Sequence, residues 1–181
     1  MIKITGGELR GRSIKCKSGL GTRPSGAKVR EAIFNILGSK VSETKWLDLF
    51  GGTGAIGIEA ISRGAESSFF TEKDFMAFKL LKENLSDLKI DDKTKVFKTD
   101  AISFLKNTQE SFDFIYIDPP YASEYYNQAL KIFEEKPSIL KENGFIIMEH
   151  NSKFRLPETS ISKIKTYKYG DTSITLYSYD N

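Results

Sequence analysis

Two kinds of hydrophobic pattern alternate along the chain from residue 45 onward. Short apolar runs are typical of buried strands, and apolar residues that recur every three or four positions are typical of helices. The apolar runs predict strands at 46–50, 67–71, 94–98, 112–117 and 144–149. The helical pattern predicts helices at 54–63, about 74–88, 101–107 and about 124–135. Two further strands are predicted at 162–169 and 173–179, around a turn at Gly170-Asp171.

The alternation of strands and helices predicts the fold class. Strands joined by helices form a parallel sheet that is covered by helices on both faces. We therefore predict an α/β fold with a doubly wound, mostly parallel sheet of seven strands, in which the final hairpin supplies one antiparallel strand at the edge. In open sheets of this kind, ligands bind beyond the carboxyl ends of the strands.

The first forty residues follow a different pattern. Ile2-Lys3-Ile4 and residues 12–16 alternate like the two strands of a hairpin, with Gly6-Gly7 offering a turn. Ser25 can cap a helix that ends at Gly38. We predict that residues 1–40 form a small hairpin-and-helix extension and that residues 41–181 form the α/β domain.

Composition excludes several classes of protein. The chain has 181 residues, of which 39% are hydrophobic and 28% charged, a profile of globular rather than disordered chains. No run of about 18 apolar residues predicts a transmembrane helix, and no basic-then-apolar leader opens the chain. With one cysteine, Cys16, and one histidine, His150, we expect no disulfide, no metal site and no histidine-based triad. We expect a reduced, cytoplasmic setting.

The charge is distributed unevenly. Residues 1–45 hold ten basic and three acidic residues, a net charge of +7, whereas residues 46–181 hold 17 basic and 21 acidic residues, a net charge of −4. A basic front on a mildly acidic body indicates a polyanionic partner bound at one end. The alternative interpretation is a charged face that only contacts solvent.

A glycine-rich loop lies between the first predicted strand of the α/β region and its helix. Gly52, Gly54 and Gly57 form a G-x-G-x-x-G pattern, which lets the backbone turn tightly and approach a ligand closely. Dinucleotide sites and S-adenosylmethionine sites share this pattern. Glu72 ends the next strand, where a carboxylate can bind both hydroxyls of a ribose. Asp48 could face a ligand amine, or it could cap the turn.

The most informative segment is Asp118-Pro119-Pro120-Tyr121, directly after a predicted strand. Two prolines stop the strand and remove two N–H donors, so backbone carbonyls are left to accept hydrogen bonds. Asp118 adds a carboxylate, and Tyr121 can stack on a planar base. Two acceptors of this kind can hold an exocyclic amino group and stabilise the positive charge that develops on it. The alternative is a proline-rich turn without chemistry.

The order of these motifs resembles class I, Rossmann-like methyltransferases that modify exocyclic amines. Nearly the whole chain resembles the RsmD family, bacterial methyltransferases that act on the N2 amine of guanine 966 in 16S rRNA. The resemblance includes the front (4–12, Arg23-Pro24-Ser25 and 29–35), the glycine loop (50–65) and the tail (169–172). The Asp-Pro-Pro-Tyr motif is shared with adenine-N6 enzymes, so the basic front is the more specific part. Gly51 stands where alanine is common.

The resemblance implies a role for particular residues. It implies S-adenosyl-L-methionine as the cofactor, with residues 41–181 as the methyltransferase domain. The implied cofactor-binding residues are Asp48, Phe50, Gly52 and Gly54 for the methionine end, Glu72 for the ribose, and Asp100 with Ala101 for the adenine. The implied catalytic residues are Asp118, Pro119, Pro120 and Tyr121, with Asp118 and the Pro119 carbonyl on the guanine amine. The expected RNA-binding residues are Arg10, Arg12, Lys15, Arg23, Lys28 and Arg30, although Arg30 and Glu31 could instead pair locally.

The expected partner is 16S rRNA, in the small ribosomal subunit or in its assembly intermediate. We expect a monomer that binds no membrane and no metal. One alternative is an adenine-N6 methyltransferase on DNA or RNA, which would usually need a separate target-recognition domain. Another is a non-catalytic RNA-binding assembly factor, against which the intact acids Glu72, Asp100 and Asp118 argue. A nicotinamide-dependent dehydrogenase is the remotest, because it gives no reason to expect Asp-Pro-Pro-Tyr.

Overall fold

The structure is a computed structural model that describes residues 1–16, 26–120 and 122–179. The strands in these ranges are β1 (Ile2–Lys3), β2 (Ser13–Ile14), β3 (Lys45–Asp48), β4 (Ser67–Thr71), β5 (Thr94–Phe97), β6 (Phe112–Ile117), β7 (Leu140–Asn151), β8 (Ser162–Tyr169) and β9 (Thr172–Ser178). The α-helices are α1 (Ala27–Leu37), α2 (Ala55–Ser62), α3 (Phe75–Leu88), α4 (Ala101–Asn107) and α5 (Ala122–Glu135). Within this part of the chain, no helix is both long and apolar enough to cross a membrane.

Seven strands form one mixed sheet in the order β5-β4-β3-β6-β7-β9-β8. Neighbouring strands from β5 to β7 run parallel, and β9 is antiparallel to both of its neighbours. The predicted doubly wound, mostly parallel seven-stranded sheet is therefore confirmed. The strand order reverses between β3 and β6, and such a reversal opens a crevice at the carboxyl ends of the strands.

The antiparallel strand does not lie at the edge of the sheet, so this part of the prediction is wrong. β9 inserts between β7 and β8, and β8 forms the edge. Burial explains the difference, since β9 is buried at nearly every position while β8 is mostly exposed. The lysines Lys163, Lys165 and Lys168 lie on β8, and charged side chains protect an exposed edge from pairing with another chain.

Two elements start at positions that the sequence pattern did not predict. The strand β7 begins at Leu140 rather than Gly144, because its ladder with β6 starts at Phe112 and Leu140 and then shifts in register before Phe145. The intervening residues, 141–143, are polar and exposed, and they hide this start in the sequence. The helix α1 begins after Gly26, and the predicted cap Ser25 lies outside the described residues.

Side chains from adjacent strand positions fill two separate cores, one on each face of the sheet. Phe70 and Ile147 point into a core formed with α1, α2 and α3. Phe69 and Ile146 point into a second core formed with α4 and α5. The N-terminal extension contributes Ile4, which follows β1, and Ile14 of β2 to the first core, so it packs on the sheet domain. The division of the chain at residue 40 stays a prediction.

Candidate active site

A cavity of about 750 Å³ opens at the carboxyl ends of the parallel strands, where the strand order reverses. Most of the predicted cofactor-binding residues line it, together with the first three residues of the predicted catalytic motif. These lining residues are Asp48, Phe50, Gly52, Glu72, Asp100, Ala101, Asp118, Pro119 and Pro120. Gly54 lies beneath the loop as the cap of α2 and does not line the cavity. Tyr121 lies outside the described residues.

The glycine loop between β3 and α2 needs residues without a side chain. Gly54 has a φ of 83°, and a Cβ there would lie 2.4 Å from a methyl group of Leu81. A Cβ on Gly57 would lie 2.3 Å from the ring of Phe70, so the helix could not pack this closely on β4. At Gly51 a Cβ would lie 3.1 Å from Leu81, which is tight but requires only a small shift.

Asp48 ends β3 at the floor of the cavity and is 2% exposed. Its Oδ2 accepts a hydrogen bond from the Gly57 N–H at 3.3 Å, whereas Oδ1 has no hydrogen-bond partner among the described residues. Burial raises the pKa of Asp48 to about 7, and the negative charge of Glu72 adds to this effect. A buried carboxylate oxygen without a partner is suited to a positively charged ligand group, whose charge would favour the ionised form.

Glu72 and Asp100 are held by backbone N–H groups at the edge of the same cavity. Glu72 follows β4, and its two oxygens accept hydrogen bonds from Gly52 at 3.0 Å and from Asp74 at 2.7 Å. Asp100 caps α4 and accepts from Ile102 at 3.0 Å and from Ser103 at 3.1 Å. These contacts fix both carboxylates before any ligand binds, and such preorganisation lowers the cost of binding.

The other side of the cavity is formed by the ends of β6 and β7. Asp118 and Pro119 follow β6 directly, and Pro119 is buried while Pro120 is exposed. Neither proline has an N–H group that could continue the strand ladder. The predicted acid and the predicted backbone acceptor therefore lie at the cavity wall, beside the glycine loop of the neighbouring strand β3.

Sequence reasoning missed Glu149, Tyr116 and His150, which also line the cavity. The Tyr116 hydroxyl donates to a Glu149 carboxylate oxygen at 2.5 Å. His150 has Nδ1 at 3.0 Å from the Asn151 carbonyl, which can only accept, so this nitrogen carries the proton and Nε2 accepts from Thr175 at 2.9 Å. Burial lowers the pKa of His150, which favours this neutral form. The signal that could have found these residues is the alignment of β7 with β6, because no local motif marks them.

The predicted RNA-binding residues have different surroundings. Arg10 and Lys28 are exposed, and Arg23 lies outside the described residues. Arg12 donates to the Asp87 carbonyl at 2.9 Å at the end of α3. Lys15 forms ion pairs with Glu83 and with Asp87, which raise the pKa of its ammonium group. Arg12 and Lys15 therefore already bind the body of the protein.

Arg30 departs from the prediction most clearly. Its side chain is 1% exposed, and its guanidinium binds Glu59 at 3.1 Å and the Lys3 carbonyl at 2.6 Å. Glu59 also accepts hydrogen bonds from the Thr5 and Gly6 N–H groups, so the pair fastens the extension to α2. We therefore withdraw Arg30 from the RNA-binding set, because a buried guanidinium has no surface to offer a phosphate. The local partner is Glu59 rather than Glu31.

The chain was compared with known protein families. The family model described as "Conserved hypothetical protein 95" matches residues 2–178. The chain belongs to this family, the RsmD family. This finding confirms the resemblance that the motifs indicated.

Relatives within the RsmD family are similar over most of the chain. YlbH of Bacillus subtilis, which carries the provisional name of an rRNA methyltransferase, is 37% identical, and the match covers 97% of this chain and 98% of YlbH. Ribosomal RNA small subunit methyltransferase D of Escherichia coli K12 is 33% identical, and the match covers 82% of this chain and 71% of that protein.

Solved structures share the fold. That of the Escherichia coli protein yhhF, provisionally named a methyltransferase, has a TM-score of 0.89 at 28% identity and covers 99% of this chain and 98% of its own. SMU.776, which was solved with SAH, has a TM-score of 0.67 at 18% identity and covers 87% of this chain and 50% of its own. The second likeness concerns the fold alone.

Proposed function

We propose that this member of the RsmD family is a 16S rRNA guanine-N2 methyltransferase. It transfers a methyl group from S-adenosylmethionine to the exocyclic amine of a guanine in small-subunit rRNA, and the family resemblance points to guanine 966. The single observation that carries this proposal is the cavity that Asp118 and Pro119 line together with Asp48 and Glu72. The names of the relatives, which refer to rRNA methylation, support the reaction class.

The cofactor half of the cavity fits S-adenosylmethionine, which supplies an electrophilic methyl group when it is bound. Asp48 suits its ammonium group, because one carboxylate oxygen is buried without a partner among the described residues. Glu72 suits the ribose hydroxyls, since backbone N–H groups already fix its orientation. Asp100 and Ala101, at the start of α4, suit the adenine. The close approach of the Gly52 backbone leaves room for the methionine end.

The base half of the cavity activates the amine. The lone pair of an aromatic amine is delocalised into the ring, so the amine is a weak nucleophile. Asp118 and the Pro119 carbonyl accept its two hydrogen bonds, which favours a tetrahedral nitrogen and stabilises the positive charge that develops during attack. Asp118 then holds the proton that the nitrogen releases. Tyr121 stacks on the base in this proposal, as the resemblance implies.

We also propose how the protein meets its RNA. Exposed basic residues, Arg10 and Lys28 among those described, contact phosphates and make the affinity depend on salt. The target guanine leaves its stack to enter the cavity. The substrate is the small subunit or its assembly intermediate, bound by a monomer in the cytoplasm.

Transfer of labelled methyl groups tests the proposal. The protein is incubated with labelled S-adenosylmethionine and small subunits that lack the modification, and the rRNA is digested to nucleosides. We expect the label in N2-methylguanosine. Label in N6-methyladenosine would leave the cofactor in place and overturn the base assignment in favour of the adenine-N6 alternative. Tight binding of the particles without label would favour a non-catalytic assembly factor.

A further inference from the structure

We propose that Glu149 is the specificity-determining residue that selects guanine. Its carboxylate accepts the N1–H of the target base while Asp118 accepts from the neighbouring exocyclic amine. The inference rests on the proposed function, because it concerns the base end of the same cavity. The Asp-Pro-Pro-Tyr motif supplies acceptors only for the amine, and Glu149 adds an acceptor for the N1–H.

The register of β6 and β7 brings Glu149 beside Asp118. Ile117 pairs with Met148 in a parallel ladder, so the next residues along the chain, Asp118 just after β6 and Glu149 within β7, lie side by side. Both residues line the cavity. The Glu149 side chain points to the same face of the sheet as Tyr116, because the two side chains share a hydrogen bond.

Two tyrosines hold Glu149 in position. Glu149 is 8% exposed, and the buried Tyr116 donates its hydroxyl hydrogen to the carboxylate at 2.5 Å. The hydroxyl of the buried Tyr126 donates to the Glu149 backbone carbonyl. Burial raises the pKa of Tyr126, and the negative charges of Asp118 and Glu149 raise it further. A Tyr126 hydroxyl that keeps its proton remains a donor.

Two adjacent carboxylates match guanine and mismatch adenine. The Watson–Crick edge of guanine presents the N1–H and the N2 amine as neighbouring donors, whereas adenine presents its N6 amine beside an N1 lone pair. An ionised carboxylate can only accept hydrogen bonds. Glu149 therefore binds guanine N1–H and repels the N1 lone pair of adenine, and leaving that acceptor unpaired in a buried site is unfavourable. This placement explains how a motif shared with adenine enzymes can serve guanine here.

The test compares guanine with 2-aminopurine at the target position of otherwise identical rRNA. 2-Aminopurine keeps the amine at position 2, but its N1 is an acceptor without hydrogen. We expect the unaltered protein to prefer guanine in kcat/KM by at least about tenfold, the effect of one hydrogen bond to a buried charged group. In Glu149→Gln the amide can donate to N1 of 2-aminopurine, so the preference should fall by about tenfold.

Two controls separate specificity from folding. Glu142→Gln makes the same change at an exposed position of β7, away from the cavity, and should keep the preference of the unaltered protein. Affinity for S-adenosylmethionine should stay unchanged in Glu149→Gln, because the residues that are proposed to bind the cofactor are not altered. A merely structural role for Glu149 would lower the rates on both bases together and would leave their ratio unchanged.

The outcomes are distinguishable. Equal use of guanine and 2-aminopurine by the unaltered protein overturns the inference without any variant, and so does an unchanged preference in Glu149→Gln. Should that variant fail to bind S-adenosylmethionine, Tyr116→Phe provides the second test, because it removes the hydroxyl that holds the carboxylate and should weaken the preference several-fold. If the unaltered protein transfers no methyl group to guanine, the proposed function itself is contradicted, and the inference fails with it.

Discussion

The carboxylates on the two sides of the cavity are held by different kinds of group. Asp48, Glu72 and Asp100, which we call the cofactor half, accept hydrogen bonds from backbone N–H groups of loops and helix starts. Asp118 and Glu149, the base half, lie just after β6 and near the end of the neighbouring strand β7, and a tyrosine hydroxyl donates to Glu149. The cofactor half is thus built from chain turns, and the base half from the alignment of two strands.

Because of this difference, substitutions in one half of the cavity can leave the function of the other half intact. Backbone N–H groups stay in place when a side chain is replaced, so a substitution in the cofactor half removes a ligand contact and the hydrogen bonds to these N–H groups, but it should leave the base half intact. In the base half, the Glu149 side chain accepts a hydrogen bond from Tyr116 on the neighbouring strand, and side chains in contact are energetically coupled. The comparison therefore predicts that binding of the cofactor and transfer of the methyl group respond to different substitutions.

The largest expected effect is that of Asp118→Ala. Loss of one of the two acceptors on the amine should lower kcat by about 10²–10³-fold, the range found when a group that stabilises developing charge is removed. Affinity for S-adenosylmethionine should stay within about twofold, because Asp118 is proposed to contact the base and not the cofactor. A twofold change is smaller than the effect of losing one hydrogen bond. Methyl-transfer kinetics and calorimetric titration measure the two quantities.

The conservative variant Asp118→Asn keeps one carbonyl oxygen as an acceptor and should lose less activity than Asp118→Ala. Unchanged turnover in Asp118→Ala would remove Asp118 from the mechanism. A parallel loss of cofactor affinity would show that the two halves are not separate.

The next largest effect is that of Glu72→Ala in the cofactor half. Without its carboxylate, the proposed ribose contacts are lost and the Gly52 and Asp74 N–H groups lose their partner. Affinity for S-adenosylmethionine should fall about 10–100-fold, the range for hydrogen bonds to a charged group. Turnover at saturating cofactor should change far less. Glu66→Ala, an exposed change at the other end of β4, is the matched control; an unchanged affinity in Glu72→Ala would contradict the role of Glu72.

The pH dependence of cofactor affinity is the third prediction. Because burial raises the pKa of Asp48 to about 7, its carboxylate is protonated below that pH in the free protein and must ionise to bind an ammonium group. Affinity should therefore fall by up to about tenfold for each pH unit below 7. Calorimetric titration from about pH 5.5 to about pH 8, a range that brackets this pKa, measures the affinity. An affinity independent of pH would contradict the role of Asp48.

The stability of the ligand-free protein provides a second test of the raised pKa of Asp48. The folded protein holds a proton that the unfolded chain releases near its ordinary pKa of 3.8. The contribution of Asp48 to the free energy of unfolding should therefore decrease as the pH rises from about 4 to about 7 and stay constant above it. Asp48→Asn should remove this part of the pH dependence, which denaturant titrations at several pH values would detect.

The smallest effect concerns the surface beside the cavity. Lys28 is exposed on α1, whose first turn contributes Val29 to the cavity lining. Lys28→Ala should reduce the slope of log affinity against log salt for the RNA by about 1, the loss of one phosphate contact. Lys93→Ala, at the amino end of β5, should keep the slope. An equal slope in the unaltered protein and in Lys28→Ala would exclude Lys28 from the interface.

Sequence reasoning succeeded where structure is local. Glu72 lies 20 residues from its partner Gly52 and Asp100 caps the helix that follows it, so motif spacing was enough to bring them to one edge. It failed where distant segments meet. Glu149 becomes part of the site through strand pairing with β6, 33 residues from Tyr116, and Arg30 is buried through Glu59, 29 residues away. A sequence shows that a residue is charged, but burial and pairing across the sheet decide what the charge does.

A crystal structure with bound S-adenosylhomocysteine tests the division of the cavity most directly. The account predicts that its amino group contacts Asp48 and its ribose hydroxyls contact Glu72, while Asp118 and Glu149 remain untouched and face an open space the size of a base. S-adenosylhomocysteine bound against Asp118 and Glu149, with Asp48 and Glu72 untouched, would contradict the account.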